Sequence, residues 1–421
     1  MKIKLLNTVV GRTYYILLFI LLFLFSYMYG EGRDDYYTVH AYLLLVIIST
    51  YYLINDIINK NSMHISKTPF LLFILFNILI IITSLIYQDL EHAIIFPISQ
   101  ILLFYLFYSV QIRLKISRKE LFEKYFPKLF VIFGSVSFVF AIIAYINYGI
   151  LDLGLLSIDN SHQIRLTGWF GSPNYTSTVF SLTLISIIFL FQSNLYNKWN
   201  KLYLIVLFGI IMFGLILTGS RGAWISFIFA IIIYFIAQIY LKNIKLNLII
   251  YIIFIIISII PLLFYSLEYI GIDKDLLIED FVRLDNIERQ LDPDNPGRGG
   301  RARYWVTSFN SLSNEPIEKV IFGHGRKGTT KIVGRSAHSG YLTTLLNRGI
   351  FSLFIILLML FVFYYKTISI LHNRKLQEYI YPLTIMSFLI LKNTTNNDFP
   401  SNGFSGLVFI LIYFSIFIKK K

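Results

Sequence analysis

Arginines and one histidine recur in short stretches that also carry glycine, serine or an aromatic ring. Arg165 stands in RLTGWFGSPN, Arg221 in GSRGAW, Arg301 and Arg303 in GRARYW, Arg326 in GHGRKG, and His338 in AHSGYL, three residues after Arg335. Arginine offers a rigid fork of donors that fits phosphate oxygens and keeps its charge in any surroundings. Gathered at a membrane surface, such arginines would suit a pyrophosphate. A histidine among them could take a proton from a hydroxyl at neutral pH. Each stretch also has a plainer use. A lone loop arginine anchors lipid headgroups. Arg326 with Lys327 and Lys331 would form a solvated basic face, Pro173–Asn174 is an ordinary helix start, and GHG is an ordinary turn. The case rests on the order of the stretches and on the membrane side they share.

Other chemistries find less support. There is no HExxH motif and no His/Cys cluster with ligand spacing, and cysteine is absent altogether. No metal or nucleotide cofactor is therefore expected, and any outer region must hold together without disulfides. No Asp or Glu falls near the middle of an apolar run, which counts against ion-coupled transport but leaves uncoupled lipid flipping open.

The elements that must position these residues are helices in a bilayer. Of the 421 residues 56% are hydrophobic and only 14% charged, against roughly 25% charged in soluble domains. Taking about 20 apolar residues per crossing, the chain reads as about twelve spans, roughly at 9–29, 39–58, 68–87, 93–110, 127–148, 174–192, 202–218, 222–241, 244–266, 343–365, 379–395 and 403–418. The first run resembles a signal peptide but lacks a small-residue cleavage site, so it is expected to stay as the first helix.

Lysines and arginines crowd alternate connections: Lys2, Lys4 and Arg12, then Lys60 and Lys67, then Arg113 to Lys128, then Lys198 and Lys201, Lys242 and Lys245, Lys366 to Lys375, and Lys419 to Lys421. The opposite connections mix Arg33, Arg165, Arg221 and Lys392 with Asp34, Asp35, Asp89, Asp152 and Asp398. Positive charge stays on the cytoplasmic side, so both termini are expected there, with Arg221 facing outward. The net charge of +14 then reflects membrane topology and not a nucleic-acid partner.

One outward connection, from about Leu267 to Tyr341, is far longer than a simple loop, and such loops are usually functional. Its first half is acidic and its second half basic, with the switch at DPDNPGRGG. RARYWVTSFNSL has apolar residues at helical spacing and predicts a short amphipathic helix near the membrane surface. The chain thus divides into N-terminal spans over 1–150, central spans with the Arg221 turn over 151–266, an outer loop region over 267–342, and C-terminal spans over 343–421.

Taken in order, RLTGWFGSPNYTS, LTGSRGAWISF, GRARYW…NEPIEKVIFGHG and AHSGYLTTLLNRGIFSLF resemble the O-antigen ligase/polymerase family. The likeness spans roughly residues 160 to 365; the first five spans agree in hydropathy alone. It is carried by Arg301 four residues before Trp305, by Pro316 followed by Gly323 and Gly325, by His338 opening the next helix, and by the Ser220–Arg221 pair at a span end. Two positions depart from the pattern: Ser339 stands where asparagine commonly follows the histidine, and Asn347 replaces an acidic residue two before Gly349.

The resemblance implies an all-α, polytopic glycosyltransferase of the GT-C type at the inner membrane, working at its outer face without metal or nucleotide sugar. The donor would be a glycan on undecaprenyl pyrophosphate, held by Arg221 and Arg301 with Arg165, Arg303, Asn174, Arg326 and Arg335 as further binding residues. His338 would deprotonate the acceptor hydroxyl. The expected reaction is polymerisation onto a lipid-linked repeat, with a chain-length regulator as a partner. The alternatives are ligation to lipid A-core and, from another class, a lipid-linked oligosaccharide flippase.

Overall fold

The computed structural model describes residues 65–113, 116–146, 156–158, 164–166, 172–192, 197–241, 301–325, 328–333, 339–374, 377–394 and 403–418, together with positions 47, 50, 54 and 58. The spans expected near 9–29 and 244–266, and the acidic half of the long outer connection, lie outside the described residues. Of the span near 39–58 only those four isolated positions are described.

The described helices are α1 (Lys67–Ile86), α2 (Leu90–Arg113), α3 (Arg118–Glu120), α4 (Phe126–Ile146), α5 (Pro173–Gln192), α6 (Lys198–Leu217), α7 (Arg221–Tyr240), α8 (Arg301–Ser313), α9 (Ile317–Phe322), α10 (Gly328–Val333), α11 (Gly340–Arg374), α12 (Ile380–Thr394) and α13 (Gly403–Phe417). A π-helical turn, Leu121–Tyr125, joins α3 to α4. The start of α3 is fixed by a capping box: the Ser117 hydroxyl accepts from the Glu120 amide at 3.1 Å, and the Glu120 carboxylate accepts from the Ser117 amide at 2.9 Å.

Among the described residues six helices are long and apolar enough to cross a bilayer. Their outward faces are apolar as well. Ile225, Ile228, Ile232 and Ile236 are exposed along α7, and Phe354, Leu357 and Phe361 along α11. In water such stripes would drive aggregation; in a bilayer they are the lipid-facing surface. Small polar residues such as Thr176, Thr183 and Ser226 turn inward instead. The protein is a multi-pass helical membrane protein, and the all-α expectation gains one addition. Two short strands, β1 (Leu156–Ile158) and β2 (Ile164–Leu166), pair antiparallel with Ser157 opposite Arg165.

Two compact units divide the chain. The first comprises residues 1–121, 300–369 and 393–421; the second comprises 122–299 and 370–392. In the first, α1 packs on α2 and α13 on α2. Phe414 lies 4.2 Å from the Phe104 ring centroid and edge-on to Phe73 at 5.0 Å. The end of α13 meets the start of α1, where the Ser66 amide donates to the Phe417 carbonyl at 3.2 Å.

In the second unit α5 is the central helix, buried without a break from Thr176 to Leu190 and packed by α4, α6 and α7. Most of its Ser and Thr hydroxyls bond back into their own helix, as in Thr178 to the Asn174 carbonyl at 2.9 Å and Ser186 to the Leu182 carbonyl at 2.7 Å; the buried Ser181 hydroxyl is the exception. That satisfies polar groups which neither lipid nor core could solvate, and their small size lets neighbouring backbones approach. Thr183 Oγ1 lies within 3.0 Å of the Phe130 carbonyl of α4. Strand β2 closes against α4, α5 and α6.

Candidate functional site

In the second unit the sequence LTGSR folds as one tight joint. The Thr218 hydroxyl bonds back to the Leu215 carbonyl at 2.7 Å as α6 ends. Gly219 follows at φ +59°, the left-handed conformation that terminates many helices and that glycine adopts without Cβ strain. The Ser220 carbonyl then accepts from the Ala223 amide at 3.0 Å and the Trp224 amide at 3.3 Å, so Arg221 is the first residue of α7. Turn chemistry alone therefore places a guanidinium at the end of an apolar helix.

A serine in this place ordinarily turns its hydroxyl onto its own helix. Ser220 does not. Its Oγ donates to Asn174 Oδ1 at 3.0 Å and accepts from Lys392 Nζ at 3.2 Å. Asn174 is the second residue of α5, and Lys392 lies in the last turn of α12. The starts of α5 and α7 and the end of α12 thus meet in one polar chain. Lys392 is 0% exposed and Ser220 3%, and a buried ammonium requires such bonding.

Arg221 is half-buried beside this chain. Arg165 lies on β2, the strand that packs against α4, α5 and α6, although its side chain is outside the described residues. Of the residues singled out in the sequence, Asn174 and Arg221 are brought together, through Ser220. Lys392, expected in an outward connection, is buried in the last turn of α12. A lysine directly after the apolar run SFLIL is the signal that could have found it.

The first unit holds the second set. Arg301 and Arg303 open α8, with Arg301 one helical turn before Trp305; their side chains are outside the described residues, as are Arg326, Arg335 and His338 altogether. The amphipathic helix expected over RARYWVTSFNSL is present. Trp305 and Leu312 pack with Leu353 against Leu342 and Leu345, Ser308 is fully buried, and Val306 and Phe309 face outward. Ser339, directly after His338, precedes α11 and receives the Thr343 amide on its carbonyl at 2.8 Å and the Leu342 amide on its hydroxyl at 3.5 Å. Serine in place of asparagine preserves a helix-capping side chain.

The GHG segment is more than an ordinary turn. α11 breaks at Gly349, which has φ +78° and ψ 177°. A break there deprives the Leu346 and Asn347 carbonyls of the donors a continuous helix would supply. The His324 amide takes the first at 2.8 Å and the Gly325 amide the second at 3.0 Å. Asn347 then receives the Thr329 amide at 2.8 Å and the Thr329 hydroxyl at 2.7 Å on its Oδ1, tying down the start of α10. The position that departs from the family pattern is thus a structural bracket. Arg348 beside it is buried, its guanidinium 5.0 Å from the Phe96 ring and 5.7 Å from that of Phe76.

His324 sits at the centre of this knot. Its Nε2 is 3.8 Å from the Glu315 carboxylate, which also pairs with Lys319 at 3.0 Å. Burial holds the imidazole below its ordinary range, opposed by Glu315 and reinforced by Lys319 and Lys331. The Tyr87 hydroxyl donates to the Gly323 carbonyl, and Lys331 lies 5.8 Å from the Tyr87 ring. Among the described residues no three His, Cys, Asp or Glu side chains gather as a metal site would require.

Residues 204–358 match the family model described as O-antigen ligase, a stretch that includes Ser220–Arg221, Trp305, the GHG segment and Gly349. The chain is also similar to the ComP-specific O-oligosaccharyltransferase of Acinetobacter baylyi, with 24% identity over 316 residues, covering 72% of this chain and 53% of that protein. The chain spans about half the length of the curated relative it matches. Both findings support the O-antigen ligase family.

Proposed function

From that family likeness, we propose that this protein is a membrane glycosyltransferase that moves a glycan from a polyprenyl-pyrophosphate carrier to a hydroxyl acceptor at the outer face of the inner membrane. The observation that carries the reading is the joint at Ser220. It fixes Arg221 at the first turn of α7, beside Asn174 and the buried Lys392, at one end of an apolar bundle. A permanent cation at a helix start is a site for phosphate oxygens.

In the reaction the acceptor oxygen attacks the anomeric carbon and the bond from that carbon to the phosphate oxygen breaks. The electron pair leaves with the pyrophosphate, where Arg221 and Arg301 stabilise the developing charge. The hydroxyl proton passes to His338. Arg165, Arg303, Asn174, Arg326 and Arg335 hold the donor, and no metal is required. The twelve-span GT-C-like architecture, with both termini cytoplasmic, belongs to the same proposal, as does a chain-length regulator acting on the product.

Two acceptors fit one donor site. Polymerisation onto the next lipid-linked repeat is the reading favoured by the RLTGWFGSPN stretch. Transfer of the finished chain to another acceptor is favoured by the family's description and by the relative's name. Purified protein in proteoliposomes, supplied with lipid-linked repeats, separates them: a ladder of lengthening lipid-linked chains marks a polymerase, and a product appearing only with added acceptor marks a ligase. Arg221→Ala should lower either rate about a hundredfold, the order expected for one lost charge-assisted contact in a transition state. Movement of repeats across the bilayer without any new glycosidic bond would replace the enzyme reading with a flippase.

A further inference from the structure

Lys392 has no part in the chemistry above, yet its position is unusually constrained. It is wholly buried in the last turn of α12, and its ammonium is bonded to the hydroxyl of the residue immediately before Arg221. That hydroxyl is diverted from capping α7 and completes a chain through to Asn174. We propose that Lys392 is a positioning residue. By holding Ser220 against Asn174 it clamps the start of α7 between α5 and α12, and so fixes the direction in which Arg221 leaves the helix; the inference rests on Arg221 being the phosphate-holding residue.

The physical logic is one of competing bonds. A free N-cap serine would rotate onto the first-turn amides of its own helix, and the helix start would be tied to nothing else. With Ser220 Oγ engaged by Lys392 on one side and Asn174 on the other, its rotamer and the path of the Gly219–Ser220 turn are set by two neighbouring helices. Lysine suits the role because a buried ammonium loses heavily if its partners leave, so the clamp resists opening. A guanidinium held within a fraction of an ångström contributes far more to a transition state than a loosely held one.

The test is a double-mutant cycle on transfer rate, with folded protein quantified separately. Lys392→Met and Ser220→Ala should each lower kcat per folded molecule about tenfold, the size expected for a lost bond to a charged group. The double variant should be no slower than the slower single, because Lys392 acts through Ser220. Should Lys392→Met fail to accumulate in membranes, Lys392→Gln takes its place in the cycle. Multiplying losses would overturn the proposal by showing that Lys392 acts independently of Ser220. So would a Lys392→Met protein that melts lower yet keeps the kcat of the parent. Arg221→Ala in the same assay keeps the two readings apart. If it too retains activity, the assignment of Arg221 falls; if it is inactive while Lys392→Met is unaffected, only the role of Lys392 falls.

Discussion

Replacing Gly349 by alanine tests whether the GHG segment and α11 form one rigid knot. A Cβ at this position would lie 1.9 Å from the Ile321 carbonyl oxygen, 2.3 Å from its carbon and 2.6 Å from the Phe322 amide nitrogen. All three are backbone atoms, so no side-chain rotation relieves the clash. The local conformation, φ +78° with ψ 177°, is one that L-residues scarcely occupy, at a cost of about 1–3 kcal/mol. Relief requires α9 and the GHG segment to move off α11, breaking the His324 to Leu346 and Gly325 to Asn347 backbone bonds. At about 0.5–1.5 kcal/mol per bond, the combined loss is about 2–6 kcal/mol. The expected reading is a fall of about 2–7 °C in melting temperature for detergent-purified protein followed by tryptophan fluorescence. Gly209→Ala is the matched control: nothing lies within 4 Å of its Cβ, and a helix-interior alanine should be neutral or stabilising by up to about 1 kcal/mol. Gly349→Ala melting together with Gly209→Ala would refute the reasoning.

Two further outcomes follow from the same knot. Asn347→Ala removes the acceptor of both Thr329 bonds and should raise amide hydrogen exchange over 328–333, whereas Asn347→Asp, which still accepts both, should leave exchange as in the parent; equal exchange in all three would show that the bracket is idle. For His324, burial makes the folded state bind a proton less readily than the unfolded chain. Stability is therefore full above the ordinary imidazole value of about 6.5 and declines as pH falls through that value toward the lower folded pKa. His324→Gln should flatten this part of the melting-temperature profile between about pH 7 and pH 5; identical profiles for the two proteins would contradict the assignment.

Hydrophobic runs of bilayer length and their charge pattern were enough to read helices near 68–87, 174–192 and 222–241, because lipid leaves a backbone no alternative to a helix. The Gly219 turn was legible for a similar reason: glycine followed by serine between two apolar runs leaves the chain few ways to reverse. The amphipathic spacing of RARYWVTSFNSL likewise predicted both α8 and a face for it to bury. What the sequence could not supply was the identity of each polar residue's partner. Lys392 looks like another charge at a span end, and only the packing of α12 beside the start of α7 turns it into the neighbour of Ser220, 172 residues away. Asn347 and Gly349 read as family departures and spacing until the break in α11 exposes two carbonyls and the GHG amides arrive to take them. Local patterns follow from rules that act over one helical turn; hydrogen-bond partners are chosen by whichever segments the tertiary fold brings within 3 Å.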